Sequence, residues 1–116
     1  MITRKKGKEK EKMAEKYLKK HGYKILERNY TRRTGEIDII ARKGKTIVFV
    51  EVRSLERGQI DPSETVNRKK REKIIKTARL FLLEHPEFEE YDIRFDFVGV
   101  IKDEINHIEN AFWEEI

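Results

Sequence analysis

The chain contains no cysteine. That excludes disulfides, zinc–thiolate sites and thiol nucleophiles, and it fits a reducing cytoplasm. No stretch approaches the ~20 consecutive apolar residues that a membrane-spanning helix needs. The basic start, MITRKKGKEKEK, has no apolar run behind it and does not match a secretory signal. There is no glycine-rich phosphate loop. Ser54 and Ser63 lack the His and Asp partner pattern of a serine hydrolase. His21, His85 and His107 fall in separate elements without metal-ligand spacing, and His107, in the strand-like run Ile105-Asn106-His107-Ile108, reads as structural. With no internal repeat and no low-complexity tract, the 116 residues are expected to form one domain, 1–116, with a single modest core.

What the chain has in abundance is charge. Charged residues make up 42% of it, and Lys+Arg outnumber Asp+Glu by 27 to 22, for a net charge of +5. A basic balance of this kind favours a polyanionic partner, nucleic acid first. A surface laced with Lys, Glu and Arg ion pairs, as in thermophiles, gives the same composition. Composition does not separate the two, and both can hold together.

The pattern predicts the order α-β-β-β-α-β-β. Residues 1–8 read as a flexible basic arm or a frayed helix start. Met13, Ala14, Tyr17 and Leu18 recur at helical spacing within a helix over Lys8–His21, and Gly22 stops it. Strand-like runs follow at Lys24–Thr31, Gly35–Arg42 and Thr46–Arg53, with turns at Thr34-Gly35 and Lys43-Gly44. Asp61-Pro62-Ser63-Glu64 has the chemistry of a helix start, and His85-Pro86 ends that helix near Glu84. Two last strands are predicted over Tyr91–Ile101 and Ile105–Trp113.

The informative stretch is Gly35 to Ser54, GEIDIIARKGKTIVFVEVRS. Strand side chains alternate faces, so Glu36, Asp38 and Ile40 share one face, as do Ile47, Phe49, Glu51 and Arg53. A two-residue turn at Lys43-Gly44 sets Asp38 across from Phe49 and Glu36 across from Glu51, with Asp38 and Glu51 as diagonal neighbours ~7–8 Å apart. The run Ile47-Val48-Phe49-Val50 does not alternate and is expected to be covered on both faces. Carboxylates beside such a strand are costly unless they are paired or bind a cation. Oxygen donors without Cys or a neighbouring His point to Mg²⁺ or Mn²⁺. The plainer reading keeps Glu36 and Asp38 at a solvated strand end and pairs Glu51 with Arg53.

Asp38, a hairpin, then Glu51-Val52-Arg53 resembles the PD-(D/E)XK motif of restriction-endonuclease-like nucleases. A closer likeness is to the YraN family of small bacterial proteins, related to archaeal Holliday junction resolvases. Its pieces are Glu11 with Ala14, Tyr17-Leu18 and Gly22-Tyr23; Ile25-Leu26 with Arg28-Asn29-Tyr30; Gly35-Glu36-Ile37-Asp38; Phe49-Val50-Glu51-Val52; Lys70; Arg94-Phe95-Asp96; and His107-Ile108 with Ala111-Phe112. The likeness spans nearly the whole chain. It implies an α/β restriction-endonuclease-like fold, with a central mixed five-stranded sheet flanked by helices. It also implies a metal site at Asp38 and Glu51, with Glu11 supplied by the first helix, and a homodimer as in the resolvases. One departure stands out: Arg53 occupies the place where the superfamily usually has Lys. Arginine keeps the charge and grips phosphate, yet cannot give up a proton near neutral pH.

The site is therefore expected to comprise Asp38, Glu51, Arg53 and Glu11 as catalytic groups, and Asp38, Glu51 and Glu36 as ligands for Mg²⁺ or Mn²⁺. Lys70 lies on the apolar stripe of the second helix and either snorkels outward or reaches the site. Arg32 and Arg33 at a hairpin tip, with Lys5 and Lys6 of the basic arm, are expected to contact a nucleic-acid backbone, or simply to be solvated. The function expected is metal-dependent phosphodiester hydrolysis on DNA in the cytoplasm, branched or repair intermediates included. Two alternatives stay open: a non-catalytic nucleic-acid binder on the same fold, and an interaction module whose basic helix docks an acidic partner.

Overall fold

Good helix formers dominate the first twenty residues, and Ala14 and Leu18 supply one apolar stripe. In the computed structural model, which describes residues 2–54 and 67–111 with side chains from residue 8, this segment forms helix α1 over Ile2–Lys20. The backbone is thus helical from Ile2, ahead of the Lys8 start that apolar periodicity alone sets. Gly22, at φ 90°, ends the helix: its N–H donates to the Lys19 carbonyl and the Tyr23 N–H to the Leu18 carbonyl. That pair of bonds is the left-handed glycine cap, and it turns the chain directly into the sheet.

Five strands follow the predicted order: β1 (Lys24–Arg32), β2 (Gly35–Lys43), β3 (Thr46–Ser54), β4 (Asp92–Ile101) and β5 (Glu104–Ile108). They lie side by side in that order, antiparallel except for the parallel pair β3–β4. A parallel pair needs a crossover, and the chain between them includes helix α2 (Arg68–Glu84). The fold is α/β, a mixed five-stranded sheet with a helix on each face. No helix among the described residues is long and apolar enough to cross a membrane.

Three details differ from the sequence pattern. Asn67 is extended and its side chain accepts from the Lys70 N–H, so α2 is capped there and not at Asp61. The Asp61-Pro62-Ser63-Glu64 start lies outside the described residues, and the last strand, predicted as far as Trp113, ends at Ile108 with Glu109-Asn110 in a turn. The β2–β3 turn is Gly44-Lys45, because Lys43 pairs with Thr46. This slides the register by two residues, so the faces are kept but the partners change: Ile40 lies across from Phe49.

Both faces of the central strand are covered, as its apolar run requires. Ile47, Val48, Phe49 and Val50 are all at most 1% exposed. Toward α2 the core is aromatic, with Phe49 stacked on Phe95 at 5.3 Å and edge-on to Phe81 at 5.9 Å. Toward α1 it is aliphatic: Leu18, Val48, Val50 and Val98. Helix α2 closes on the start of β2 because Gly35 leaves room. A Cβ there would meet Lys73 Cβ and Thr77 Oγ1 at 3.4 Å, and the Thr34 and Thr77 hydroxyls bond at 2.6 Å.

Candidate metal centre

The sheet forks. The β2–β3 ladder runs from Lys43↔Thr46 to Ile39↔Val50 and stops. Beyond it β2 keeps β1 as far as Gly35, and β3 keeps β4 as far as Ser54. Asp38 sits in the crotch of this fork. Its Oδ2 accepts the Val52 N–H at 2.8 Å, replacing a ladder carbonyl as acceptor. The regular alternation of β1 and β2 also breaks here. Asn29 takes φ 48°, a left-handed value that Asn tolerates. Ile37 packs with Ile40 toward α2, while Ile39 packs toward α1. Strict alternation had put Glu36, Asp38 and Ile40 on one face; with the break, Asp38 borders clefts on both faces.

Glu51, on the α2 face of β3, is 4% exposed. Its Oε2 is held by Lys70 Nζ at 2.7 Å and by Arg53 Nε at 3.3 Å. Burial, followed by the negative charge of Glu51, pushes the Asp38 carboxyl up to about 8; the Val52 N–H pulls the other way, and the charge of Glu11 adds a smaller push. The fork therefore holds two carboxyls that resist ionising together. A proton relieves that strain in one way and a divalent cation in another.

The donor set suits such a cation. Two hard oxygen ligands with open solvent beside them match Mg²⁺ or Mn²⁺, which keep several waters and take one or two carboxylates. Asp38 and Glu51 are the pair that fits. Among the described residues no group of three or more His, Cys, Asp or Glu side chains is disposed to hold an ion. Glu36 lines the same cleft but accepts from the Thr31 hydroxyl at 3.0 Å. Glu11, across the other cleft, accepts from Asn29 Nδ2 at 2.9 Å.

The remaining expected residues divide. Lys70 reaches the site and Arg53 points back to it. Arg32 is turned away: it pairs with Glu84 at 2.9 and 3.1 Å and lies 4.0 Å over the Tyr30 ring. Arg33 stays exposed at the hairpin turn, and the side chains of Lys5 and Lys6 lie outside the described residues. Two features were not singled out from sequence. One is Asn29, whose left-handed φ of 48° marks the break in alternation beside Asp38. The other is the continuation of the basic arm's Lys8 through Lys12 and Lys16 as a row on α1, for which the i, i+4 spacing was a legible signal.

A second polar cluster lies on the α1 face, away from the fork. Asp96 is fully buried. It takes two bonds of 2.8 Å from Arg94, one of 2.7 Å from His107 Nε2 and one from the Asn110 N–H. His107 Nδ1 in turn meets the Tyr17 hydroxyl at 3.2 Å, and Arg94 donates to the Tyr23 hydroxyl. The cluster ties α1 to β4 and β5, and His107 is structural, as its strand context suggests.

Comparison with known proteins adds the following. Residues 10–100 match the model of the uncharacterised protein family UPF0102. A UPF0102 protein of Persephonella marina is 49% identical over 108 residues, covering 92% of each chain. One from Thermotoga maritima is 48% identical over 105 residues, 90% of this chain and 94% of that one. One from Fusobacterium nucleatum is 41% identical over 114 residues, 97% and 95%.

Proposed function

The chain belongs to the uncharacterised protein family UPF0102, the YraN proteins, and on that footing we propose that it is a divalent-metal-dependent phosphodiesterase acting on DNA in the cytoplasm. The observation that carries this reading is the Asp38–Glu51 pair in the fork, beside two cations that face the same carboxylate oxygen. Asp38 and Glu51 hold Mg²⁺ or Mn²⁺, with Glu36 and Glu11 close enough to line the approach. Bound there, the ion supplies an acidified water and a charge set against the phosphoryl oxygens. The chain's own cations divide the remaining work. Arg53 cannot release a proton near neutral pH, so its part is electrostatic, opposing the charge that develops on the phosphate. Lys70 approaches Glu51 from α2, where the superfamily motif would have lysine on the strand. The resemblance to PD-(D/E)XK nucleases and resolvases points the same way.

The test is incubation of the pure protein with branched, duplex and single-stranded DNA, in Mg²⁺, Mn²⁺ or EDTA. Cleavage that needs the metal and disappears in Asp38→Asn supports the reading. One observation favours a second reading, a binder without turnover: the Lys70 ammonium already neutralises Glu51 at 2.7 Å. Binding without cleavage of any substrate in Mn²⁺ selects it.

Arg53 separates its two roles by kinetics. As a phosphate clamp, Arg53→Lys retains substantial cleavage and Arg53→Ala loses ~10²-fold or more. As a partner of Glu51 alone, Arg53→Ala lowers the melting temperature while the folded fraction cleaves normally. Single-turnover cleavage beside a melting curve for each variant decides between them.

The hairpin tip gives a second measurable asymmetry. Among the described residues the charge of Arg32 is matched by Glu84, and that of Arg33 has no ion-pair partner. On DNA, each phosphate that the protein ceases to neutralise lowers the log–log salt slope by ~0.7–0.9. Arg33→Ala is expected to flatten the slope by that amount and Arg32→Ala by less. Equal effects would mean that Arg32 leaves Glu84 to bind phosphate.

A further inference from the structure

Two clefts meet at Asp38, one on each face of the sheet. The α1-side cleft, of about 460 Å³, is edged by Lys8, Lys12 and Lys16. These lysines stand four residues apart, so they form a single row rising ~6 Å per step along the helix. Glu11 and Glu15 lie behind the row, and β1 occupies them: Glu15 is clamped by Arg28, with Lys19 also on it, and Glu11 is bound by Asn29. Lys8, Lys12 and Lys16 form no ion pair among the described residues. The α2-side cleft, of about 370 Å³, is edged by Lys69 and Lys73, again four apart and again without an ion pair among the described residues.

Both rows thus present bare ammonium groups, at steps close to the separation of neighbouring phosphates along one strand. They lie on opposite faces of the sheet, and the passage between them runs over the fork. A DNA duplex is stiff over ~50 nm, and turning it from one face to the other of a protein whose extents are 39 × 31 × 28 Å costs several kcal/mol or more. A single strand turns without that cost.

We propose that one DNA strand, unpaired over the fork, runs along the α1 lysine row, crosses Asp38 and continues along the α2 row. The substrate class is therefore single-stranded DNA, or the unpaired stretch at a branch, gripped by its phosphates. This rests on the phosphodiesterase reading for the site it crosses, and it adds the strand's path and its unpaired state. The exposed surface of the two clefts offers lysines and no stacking ring, so the track is indifferent to base sequence.

The experiment measures binding in EDTA, so that it is independent of cleavage. Fluorescence anisotropy is recorded for a single-stranded oligonucleotide and for the same sequence as duplex. The proteins are wild type, Lys12→Glu/Lys16→Glu and Lys69→Glu/Lys73→Glu. Wild type should bind the single strand at least tenfold more tightly than the duplex. Each double reversal should weaken single-strand binding tenfold or more and lower the salt slope by ~0.7 for each phosphate no longer neutralised. Melting curves confirm that the variants fold. Equal or tighter duplex binding overturns the proposal, and so does a reversal on either helix that leaves single-strand affinity unchanged. A protein that binds along both rows but never cuts keeps this path and loses the hydrolase reading. One that cuts duplex DNA in Mn²⁺ regardless of the α1 lysines keeps the hydrolase reading and loses the path.

Discussion

In EDTA near pH 6, Asp38→Asn is expected to melt higher than wild type, and in Mn²⁺ the order is expected to shrink or reverse. The sign follows from the carboxyl's position. In the unfolded chain Asp38 ionises near its ordinary value of 3.8, and in the folded chain it holds its proton to about 8. The folded state therefore binds more protons between those values, and stability is full below pH 4 and falls as pH rises toward 8. Asparagine still offers an oxygen to the Val52 N–H and carries no charge to repel Glu51. Each kcal/mol of repulsion relieved raises the melting temperature by roughly 3–6 °C in a domain of this size. Wild type gains ~2.7 kcal/mol at one hundred dissociation constants of Mn²⁺, and the variant does not. Melting curves from pH 5 to 8, with EDTA and with Mn²⁺, check both halves. A variant less stable than wild type in EDTA refutes the repelling pair, and equal Mn²⁺ shifts refute the metal site.

The largest loss of stability is expected from Asp96→Ala. Asp96 is fully buried and satisfies Arg94, His107 and the Asn110 N–H together. Removing it leaves the Arg94 guanidinium with only the exposed Glu109, at 3.5 Å, as counter-charge, a loss on the order of 3 kcal/mol. Asp96→Asn keeps one acceptor and should lose less. The acid limb carries a second signature. Burial raises the Asp96 carboxyl, but the hydrogen bonds from His107, Arg94 and the Asn110 N–H, with the charge of Arg94, outweigh it and hold the carboxyl below the usual range. Its contribution is present above the unfolded value and is lost as pH falls through the folded one. Wild type should lose stability toward low pH more steeply than Asp96→Asn. Urea titrations at pH 7 and pH 3 measure both, and a destabilisation under ~1 kcal/mol for Asp96→Ala would mean that the cluster does not hold α1 to the sheet.

Element order and the two-sided burial of β3 were legible in the sequence, because apolar periodicity determines them; Asp38 and Glu51 were expected only as diagonal neighbours, in a register that the structure shifts by two residues. The turn was misplaced by one residue because Lys43-Gly44 and Gly44-Lys45 have nearly the same local chemistry. The choice between them is made by packing: the observed register puts Ile40 beside Phe49 in one core. The α2 start was misplaced because Asp61-Pro62 has good capping chemistry, yet Asn67 caps the helix. The break at Asn29 and Asp38 left no period-two signature at all, and it is what gives Asp38 two clefts. Lys70 was recognisable as a lysine on an apolar stripe. Only the seating of α2 against Gly35 decided that it reaches Glu51.

The fork has a bearing on which lengths of chain the protein tolerates. Each carboxylate stands on a strand whose outer edge stays bonded, Asp38 to β1 and Glu51 to β4. Neither donor adjusts independently of a whole ladder. Their alignment is counted out from the Gly44-Lys45 turn, where a Cβ on Gly44 would meet nothing within 4 Å. Exposed loop tips of that kind usually accept insertions. Here one added residue taken up as a register slip would carry Glu51 to the opposite side of the sheet, among the aliphatic residues under α1. The blandest turn in the molecule is in this sense its ruler, and its length is as constrained as the identity of either acid.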